Sequence, residues 1–228
     1  MSTYAIGYIL IGIGILLSSL ASLLVRATYK KYSEISSTKK LTGFDTARKI
    51  LDSNGLNDVH IVEVKGNLTD HYDPIRKVVR LSALNFHEES IASIAVAAHE
   101  CGHAIQDKNK YLFMKIRSSL VPFVNFVSRA GYFAILIGLF LGRANIIYIA
   151  IGMELATLLF HLVTLPVEFN ASYRALKQIE FLNLVTSDEY KGAKKVLTAA
   201  ALTYVASMIT IVLQLLRLLL IAGGRNRD

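Results

Sequence analysis

The five residues from His99 to His103 read His-Glu-Cys-Gly-His, which is the pattern H-E-x-x-H. Residues four apart lie on the same face of an α-helix, so two imidazoles at this spacing can bind one zinc ion. Glu100 would then serve as the general base that takes a proton from a zinc-bound water as this water attacks an amide carbonyl. The pattern predicts a zinc hydrolase; the alternative is two helix-surface histidines beside an unrelated glutamate.

A zinc hydrolase of this kind needs a third protein ligand and an open fourth position. In the metzincin extension of the motif a glycine and a third histidine follow, but this chain has Gln106 and Asn109 at those positions. Glu168 is a candidate, because a cluster of polar residues begins there. It could instead be an acid stabilised by the dipole at a helix N-terminus, preceded by Pro166. The residues alone leave both interpretations open.

The depth of each acidic group in the predicted membrane also bears on the third ligand. His161 and Glu154 precede Glu168 by seven and fourteen residues, or about 10 and 21 Å along a helix. The motif lies before the second apolar run, so its helix should lie at or above the membrane surface, where only Glu168 emerges. We therefore expect Glu168 to bind the same single zinc ion as the two histidines, and Glu154 and His161 to face a partner or a wet cavity.

Secondary-structure signals around the motif predict how it is positioned. From Glu88 the pattern turns helical, with apolar or small residues along one stripe: Ile91, Ile94, Ala95, Ala98, Gly102 and Ile105. Cys101 should face away from the two histidines as a small packed residue. A capping box at Thr42 opens another helix, which ends at residues 54–55. Residues 59–64 and 77–81 read as strands, joined by a polar loop over 66–74.

The composition excludes a disordered chain and makes an ordinary soluble domain a poor match. Of 228 residues, 53% are hydrophobic and 18% charged, and the single cysteine excludes both an intrachain disulfide and a multi-cysteine zinc site. Four apolar runs are long enough to cross a bilayer; they are Met1 to Val25, Ser118 to Gly142, Ala144 to Leu165 and Val196 to Ala222. The first is expected to be retained as an anchor and not cleaved, because no basic segment precedes it.

These runs predict a mostly α-helical membrane protein. Its expected parts are a first transmembrane helix (1–25), a catalytic segment (26–117), a helical hairpin of two spans (118–165), a second catalytic segment (166–195), a fourth span (196–222) and a short tail (223–228). Because two crossings separate the two polar segments, they should lie on one side and form one split α+β, zincin-like domain.

Charge predicts the side of the membrane. The formal net charge is +8, and Arg26, Lys30, Lys31, Lys39 and Lys40 follow the first span. By the positive-inside rule the catalytic domain should be cytoplasmic, in a multi-pass protein of the cell membrane. Attraction to the anionic lipid bilayer accounts for these lysines, and no motif for nucleic acid accompanies them.

The motif, the following Ala-Ile-Gln106 and the later stretch Leu165 to Ser172 resemble the membrane-bound neutral zinc metallopeptidases of the YugP-like group. More distantly the chain is similar to the HtpX-type and CAAX prenyl proteases, gluzincins whose third ligand is the glutamate of an E-x-x-A-D motif. The resemblance implies zinc binding by Glu168, with Ala171 at the alanine position. Ser172 stands where those enzymes have an aspartate that supports a ligating histidine.

Four further residues are candidates for supporting a zinc ligand or for binding the oxyanion of the tetrahedral intermediate: His71, Ser172, Tyr173 and Arg174. His71 precedes a predicted strand that could bind a peptide by strand addition.

The function expected is a membrane-embedded zinc endopeptidase that cuts membrane-associated or misfolded polypeptides. The alternative is a non-catalytic membrane scaffold that retains a zincin fold; a transporter would explain Glu154 and His161 but not the motif. The sequence leaves open whether a homo-oligomer or an adaptor protein is involved.

Overall fold

The computed structural model of the chain describes residues 3–140 and 146–225. This part of the chain is mostly helical and carries one small sheet. The helices are α1 (Thr3–Ser33), α2 (Gly43–Ser53), α3 (Ala83–His87), α4 (Ile91–Lys108), α5 (Leu112–Phe140), α6 (Ile146–Phe181) and α7 (Ser187–Arg225); the strands are β1 (His60–Val64), β2 (His71–Asp73) and β3 (Val78–Ser82).

The chain divides into two compact units, each assembled from separate segments. The apolar unit comprises Met1–Ser22, Lys115–Leu165 and Thr203–Asp228, and the polar unit comprises Leu23–Met114 and Pro166–Leu202. The helices α1, α6 and α7 each begin in one unit and end in the other. The H-E-x-x-H motif and Glu168 both belong to the polar unit.

Three helices of the described residues are long and apolar enough to cross a membrane, which corrects the expected four. They are Ala5–Ser33, Ile146–Phe181 and Ser187–Gly223. The expected second span falls on α5, which carries Pro122, Asn125 and Arg129 between its apolar residues. The end of that span and the tight turn expected at 142–145 lie outside the described residues, as does the end of the tail at 226–228.

Helix α6 runs without a break through the expected boundary at residues 165–166. Pro166 lies inside the helix, and Glu168 is therefore far from the helix N-terminus at Ile146. A proline in a helix interior removes one backbone hydrogen bond, a defect that is tolerated in membrane-type helices where neighbouring groups compensate. The interpretation of Glu168 as an acid in a first helical turn is wrong.

The sheet of the polar unit has the order β1-β3-β2. The outer strand β1 pairs parallel with β3, in the register His60 with Val78, and β2 pairs antiparallel with β3, in the register Tyr72 with Val79. Both β1 and β3 begin one residue later than expected. The short strand β2 lies where only a loop was expected, because three residues carry too little alternation to signal a strand.

Helix α2 shows how the polar unit encloses the motif helix. Its N-cap Thr42 accepts a hydrogen bond from the Asp45 backbone, and the Asp45 carboxylate accepts one in return, which confirms the predicted capping box. On the inner face of α2, Ala47, Ile50 and Leu51 are fully buried, and the Cys101 thiol of α4 donates to the Ala47 carbonyl. Burial raises the pKa of this thiol, so Cys101 is a packed core residue.

Several contacts in the described part of the apolar unit are made within or between its helices. The Ser18 and Thr210 hydroxyl oxygens are 2.9 Å apart between α1 and α7. His161 Nδ1 lies 3.0 Å from the Thr157 carbonyl oxygen of its own helix. The Arg217 side chain packs on Gly7, where a Cβ would lie 3.2 Å from Arg217 Cγ. These side chains are thus held by neighbouring turns or helices.

Candidate metal centre

Helix α4 places the two motif histidines one turn apart. Its N-cap Ser90 accepts a hydrogen bond from the Ser93 backbone at 3.1 Å, which satisfies an N–H that the first turn would leave free. Alanine-rich sequence continues the helix through the motif. The His99 and His103 rings are 4.8 Å apart between centroids and nearly perpendicular, at 85°. The helix therefore presents both imidazoles to one point beside it.

Helix α6 brings a carboxylate to this point. Glu168 Oε2 lies 3.2 Å from His99 Nε2 and 3.6 Å from His103 Nε2. The ligand atoms of the three residues all lie within 4.8 Å of one another. Over the described residues, no other group of three His, Cys, Asp or Glu side chains is arranged to hold a metal.

The close approach of α4 and α6 depends on a glycine. A Cβ at Gly102 would lie 2.5 Å from the Ala171 carbonyl oxygen and 3.2 Å from its Cα. No side chain fits at that distance, and Ala171 is itself fully buried. The two helices thus touch where Gly102, between the two histidines, meets Ala171, which lies about one turn after Glu168 on α6.

The distances from the Glu168 carboxylate to the two imidazoles suit a shared zinc ion. Zinc bonds to imidazole nitrogen and carboxylate oxygen are about 2.1 Å long, so the ligands of a tetrahedral site lie about 3.4 Å apart. The two distances from Glu168 Oε2, 3.2 and 3.6 Å, bracket this value. With three protein ligands and a half-buried His99, the site would keep one position for water or substrate. The three residues are thus a candidate zinc site with one position left open.

A buried glutamine orients His103. Gln106 Nε2 donates to the Val167 carbonyl at 2.7 Å and to Asn170 Oδ1 at 3.1 Å. Asn170 Oδ1 also accepts from Arg174 Nε at 2.7 Å, and arginine can only donate, so this oxygen is fixed as the acceptor. The Gln106 carbonyl oxygen must then face His103 Nδ1, at 2.9 Å. This nitrogen carries the hydrogen, which leaves Nε2 as the ligand.

The other motif histidine, His99, has its partner on helix α6. The Ser172 hydroxyl oxygen lies 3.2 Å from His99 Nδ1, so Ser172 is within hydrogen-bond distance of this imidazole. The sequence pointed to Ser172 for such a contact but to no role for Gln106. The available signal was its spacing, because Gln106 lies one turn after His103 on the same helix face.

Glu100 lies beside the sheet, within reach of the edge strand β2. It is buried, and this burial raises the pKa of the Glu100 carboxyl to about 7. The nearby charges of Glu168 and Asp70 raise this pKa further, while His99 and a hydrogen bond from the Tyr72 backbone lower it. A carboxylate whose pKa lies near neutrality can both accept and return a proton.

The edge strand β2 is fixed beside Glu100 by polar contacts. At its middle residue, the Tyr72 hydroxyl donates to Asp107 of α4 at 2.8 Å, and Lys77 forms an ion pair with the same carboxylate. Before it, Asp70 accepts from the Ser82 backbone at 2.7 Å and from the Asn85 side chain at 2.9 Å. The roles of these two carboxylates were not predicted from the sequence. Their effect is to hold an edge strand that was expected to be a loop.

The remaining candidate residues lie farther from the reacting groups. His71 is exposed, and its Nδ1 lies 2.8 Å from the Thr69 carbonyl oxygen. Tyr173 and Arg174 line a polar cavity of about 320 Å³, together with Asn54, Ile105, Asn109, Asn170, Lys177 and Gln178. Arg174 is connected to His103 through Asn170 and Gln106. The structure gives no direct contact between these three residues and the metal ligands.

Comparison with known proteins identifies relatives over nearly the whole chain. A family described as "Putative neutral zinc metallopeptidase" matches residues 7–223. The "Putative membrane protease YugP" of Bacillus subtilis (strain 168) is 44% identical over 213 residues, which cover 93% of this chain and 95% of the relative. No solved structure matches the chain.

Proposed function

The chain belongs to the neutral zinc metallopeptidase family, and on that premise we propose that it is a membrane-bound zinc endopeptidase of the gluzincin type. One observation carries the proposal: His99, His103 and Glu168 converge, with ligand atoms within 4.8 Å, beside a buried Glu100. A scaffold that had only kept the fold would not need this carboxylate at the site.

His99, His103 and Glu168 would hold the zinc ion. Zinc in such a site supplies Lewis acidity, which brings the pKa of a coordinated water to about 7 and polarises a carbonyl group. Gln106 and Ser172 contact Nδ1 of the two imidazoles, at 2.9 and 3.2 Å, and so keep the Nε2 atoms directed toward Glu168 and the proposed metal position. Such partners typically raise metal affinity about 10- to 100-fold.

Glu100 provides the acid–base chemistry of hydrolysis. It takes a proton from the attacking water, whose oxygen bonds to the carbonyl carbon, and gives this proton to the amide nitrogen as the C–N bond breaks. The products are a carboxylic acid and an amine, and Glu100 returns to its starting state. Burial of this carboxyl favours the exchange, because its pKa of about 7 matches neutral conditions.

The substrate proposed is an extended polypeptide, from a membrane-associated or misfolded protein. The strand β2 is at an edge of the sheet, and its Tyr72 backbone already reaches Glu100. A peptide that pairs with this edge would run past the zinc ligands, with main-chain hydrogen bonds in place of sequence-specific ones. Such binding suits a protease that accepts varied sequences.

The location proposed is the cell membrane, in several passes, with the polar unit in the cytoplasm. Arg26, Lys30 and Lys31 lie in the last turns of α1, Lys39 and Lys40 follow it, and the positive-inside rule assigns these charges to the cytoplasm. Reporters inserted after Lys40 and after Lys191 should both read cytoplasmic, because both sites belong to the polar unit. A reporter fused before residue 1 should read the opposite side. Different readings at Lys40 and Lys191 would contradict this topology.

The decisive experiment measures metal and cleavage together. Purified protein should contain about one zinc per chain and cut an unfolded polypeptide such as casein, and a chelator should abolish the cutting. Glu100→Gln should keep the zinc and lose cleavage by about 10² to 10⁴-fold. The control is Glu88→Gln, which changes an exposed glutamate just before α4. Zinc binding with no cleavage in the wild-type chain, or full cleavage by Glu100→Gln, would favour the scaffold.

A further inference from the structure

A second cavity of the polar unit lies between α1 and α7, on other residues than those of the metal centre. Its volume is about 710 Å³, within the range of sites that bind organic ligands. It is lined from α1 by Leu24, Ala27, Thr28, Lys31 and Tyr32, and from α7 by Lys191, Lys194, Lys195, Thr198, Ala199 and Leu202. We refer to these residues as the α1–α7 groove.

The groove changes from apolar to basic along its length. At one end Leu24 and Leu202 leave 46% and 42% of their surface exposed and offer an apolar lining. Ala27 and Ala199 make its middle shallow and apolar. Lys31 lies seven residues, or about 10 Å, farther along α1 than Leu24. The ligand that fits should therefore be amphipathic.

The basic end carries unneutralised charge. Lys191 forms an ion pair with Asp188 at 2.8 Å. In contrast, Lys31, Lys194 and Lys195 have no ion pair with any residue of the described chain. The lining contains no acidic side chain. At least three positive charges thus face one end of the groove, and they are complementary to an anion.

The walls of the groove are held by helix packing. Gly192 of α7 lies against the ring of Tyr32, and a Cβ there would approach the ring within 2.7 Å. Tyr32 and Gly192 are both buried. Because α1 and α7 touch at this level, the groove is built by fixed helices and not by mobile side chains alone.

We infer that the α1–α7 groove binds one anionic phospholipid, with its acyl chains along Leu24 and Leu202 and its phosphate at Lys194 and Lys195. Both helices are among the three that are apolar enough to cross a membrane, and the groove lies where their sequences turn from apolar to basic. Bilayer lipids present an anionic head and an apolar tail in this same order. A soluble anion would leave the two leucines uncovered, and an apolar peptide would leave the lysines unpaired.

The absence of tryptophan from the chain allows a site-specific test. Leu24→Trp places a single indole in the groove, and Leu23→Trp places one on the neighbouring exposed residue, which does not line the groove. Each protein is reconstituted in phosphatidylcholine vesicles that contain a minor share of brominated lipid. In the Leu24→Trp protein, brominated phosphatidylglycerol should quench the indole at least about twofold more than brominated phosphatidylcholine does, with no such difference in the Leu23→Trp protein.

Substitution of basic residues distinguishes a specific phospholipid site in the groove from non-specific attraction to a basic surface. Lys194→Gln/Lys195→Gln in the Leu24→Trp protein should remove the preference for phosphatidylglycerol. The control Arg26→Gln/Lys30→Gln removes two exposed charges of α1 that do not line the groove, and it should leave the preference intact. Equal loss in both variants would overturn the proposal in favour of a diffuse basic surface.

The Leu24→Trp protein also tests two other occupants of the groove, which are a free anion and a second copy of the chain. Inorganic phosphate at millimolar concentration should not relieve the quenching. If phosphate did relieve it, the groove would be a site for free anions instead. Quenching that disappears when the protein dimerises, with the two indoles shielded, would show that a second copy covers the groove. Neither result depends on zinc or cleavage, so this inference stands or fails apart from the proposed protease.

Discussion

The metal centre and the α1–α7 groove are two polar features of one unit, built in opposite ways. In the metal centre every ligand has a partner within hydrogen-bond distance, and Glu168 is 2% exposed. In the groove Lys194 and Lys195 are exposed and have no ion pair with a described residue. Chemistry at a metal needs atoms held to a fraction of an ångström, whereas attraction of an anionic head needs only charge in place.

The largest effect is expected from removal of a proposed metal ligand, Glu168. Glu168→Gln should weaken zinc binding by more than about 100-fold. Loss of a residue that only supports a metal ligand typically costs up to about 100-fold, and loss of the ligand itself should cost more. The amide has the volume of the carboxylate but no charge, and it leaves two histidines to bind zinc. Zinc content after dialysis against a graded chelator series measures this. Glu180→Gln, an exposed site on the same helix, is the matched control.

A retained affinity in Glu168→Gln would mean that the third ligand is another residue. Glu154→Gln then becomes the informative variant, because Glu154 is an acid of the same helix. Loss of zinc in that variant would move the centre into a membrane-spanning segment. The distances of 3.2 and 3.6 Å predict that zinc stays bound when Glu154 is changed.

The second effect concerns the glutamine that orients His103. Gln106→Leu should lower zinc affinity about 10- to 100-fold, because His103 Nδ1 loses its acceptor. Gln106→Glu should restore most of the affinity, since a carboxylate oxygen can also accept from Nδ1. Gln178→Leu is the matched control, since Gln178 accepts a hydrogen bond from Asn54 away from the metal. A purely structural role for Gln106 predicts no rescue by glutamate.

The third effect tests how tightly the two helices of the centre are packed. Gly102→Ala should destabilise the protein by about 1 to 3 kcal/mol, because the new methyl group would lie 2.5 Å from a backbone carbonyl. Gly12→Ala is the comparison, since nothing lies within 4 Å of its Cβ position. That variant should be neutral or slightly stabilising, by up to about 1 kcal/mol. Thermal unfolding in detergent compares the two.

The smallest effect belongs to the groove. Lys194→Gln/Lys195→Gln should change the free energy of unfolding by no more than about 0.5 kcal/mol per site, because both lysines are exposed and have no ion pair to lose. Zinc content should equal that of the wild type. A large loss of stability in detergent would show that these lysines hold the fold, and the contrast between the two features would disappear.

Much of the fold follows from local sequence signals. The capping box at Thr42 and the helical run through the motif depend on residues three or four apart, and the structure confirms both helices. The strands at 60–64 and 78–82 follow from alternation, with a shift of one residue. The long apolar runs gave α1 and α7 but overestimated the number of spans, because polar residues of α5 were counted as interruptions of an apolar run.

Local sequence signals of this kind predicted only part of the candidate site. His99, Glu100 and His103 were predicted from their spacing, because one helix turn alone brings the two imidazoles together. The roles of Glu168 and Gln106 depend on contacts between residues more than 60 positions apart in the chain. Both the depth along the helix and the resemblance to gluzincins pointed to Glu168, but the residues around it left open whether it is a ligand or an acid at a helix N-terminus.

The sequence by itself determined the chemistry available: two imidazoles and a carboxylate on one helix, and lysines after an apolar segment. The tertiary structure decided which distant groups meet them. It placed Pro166 inside α6, which keeps Glu168 in mid-helix, and brought Ala171 against Gly102. It also made a strand of His71–Asp73 and opened the α1–α7 groove. Periodicity reports which face of an element is buried, while the partner of that face is set by packing of the whole chain.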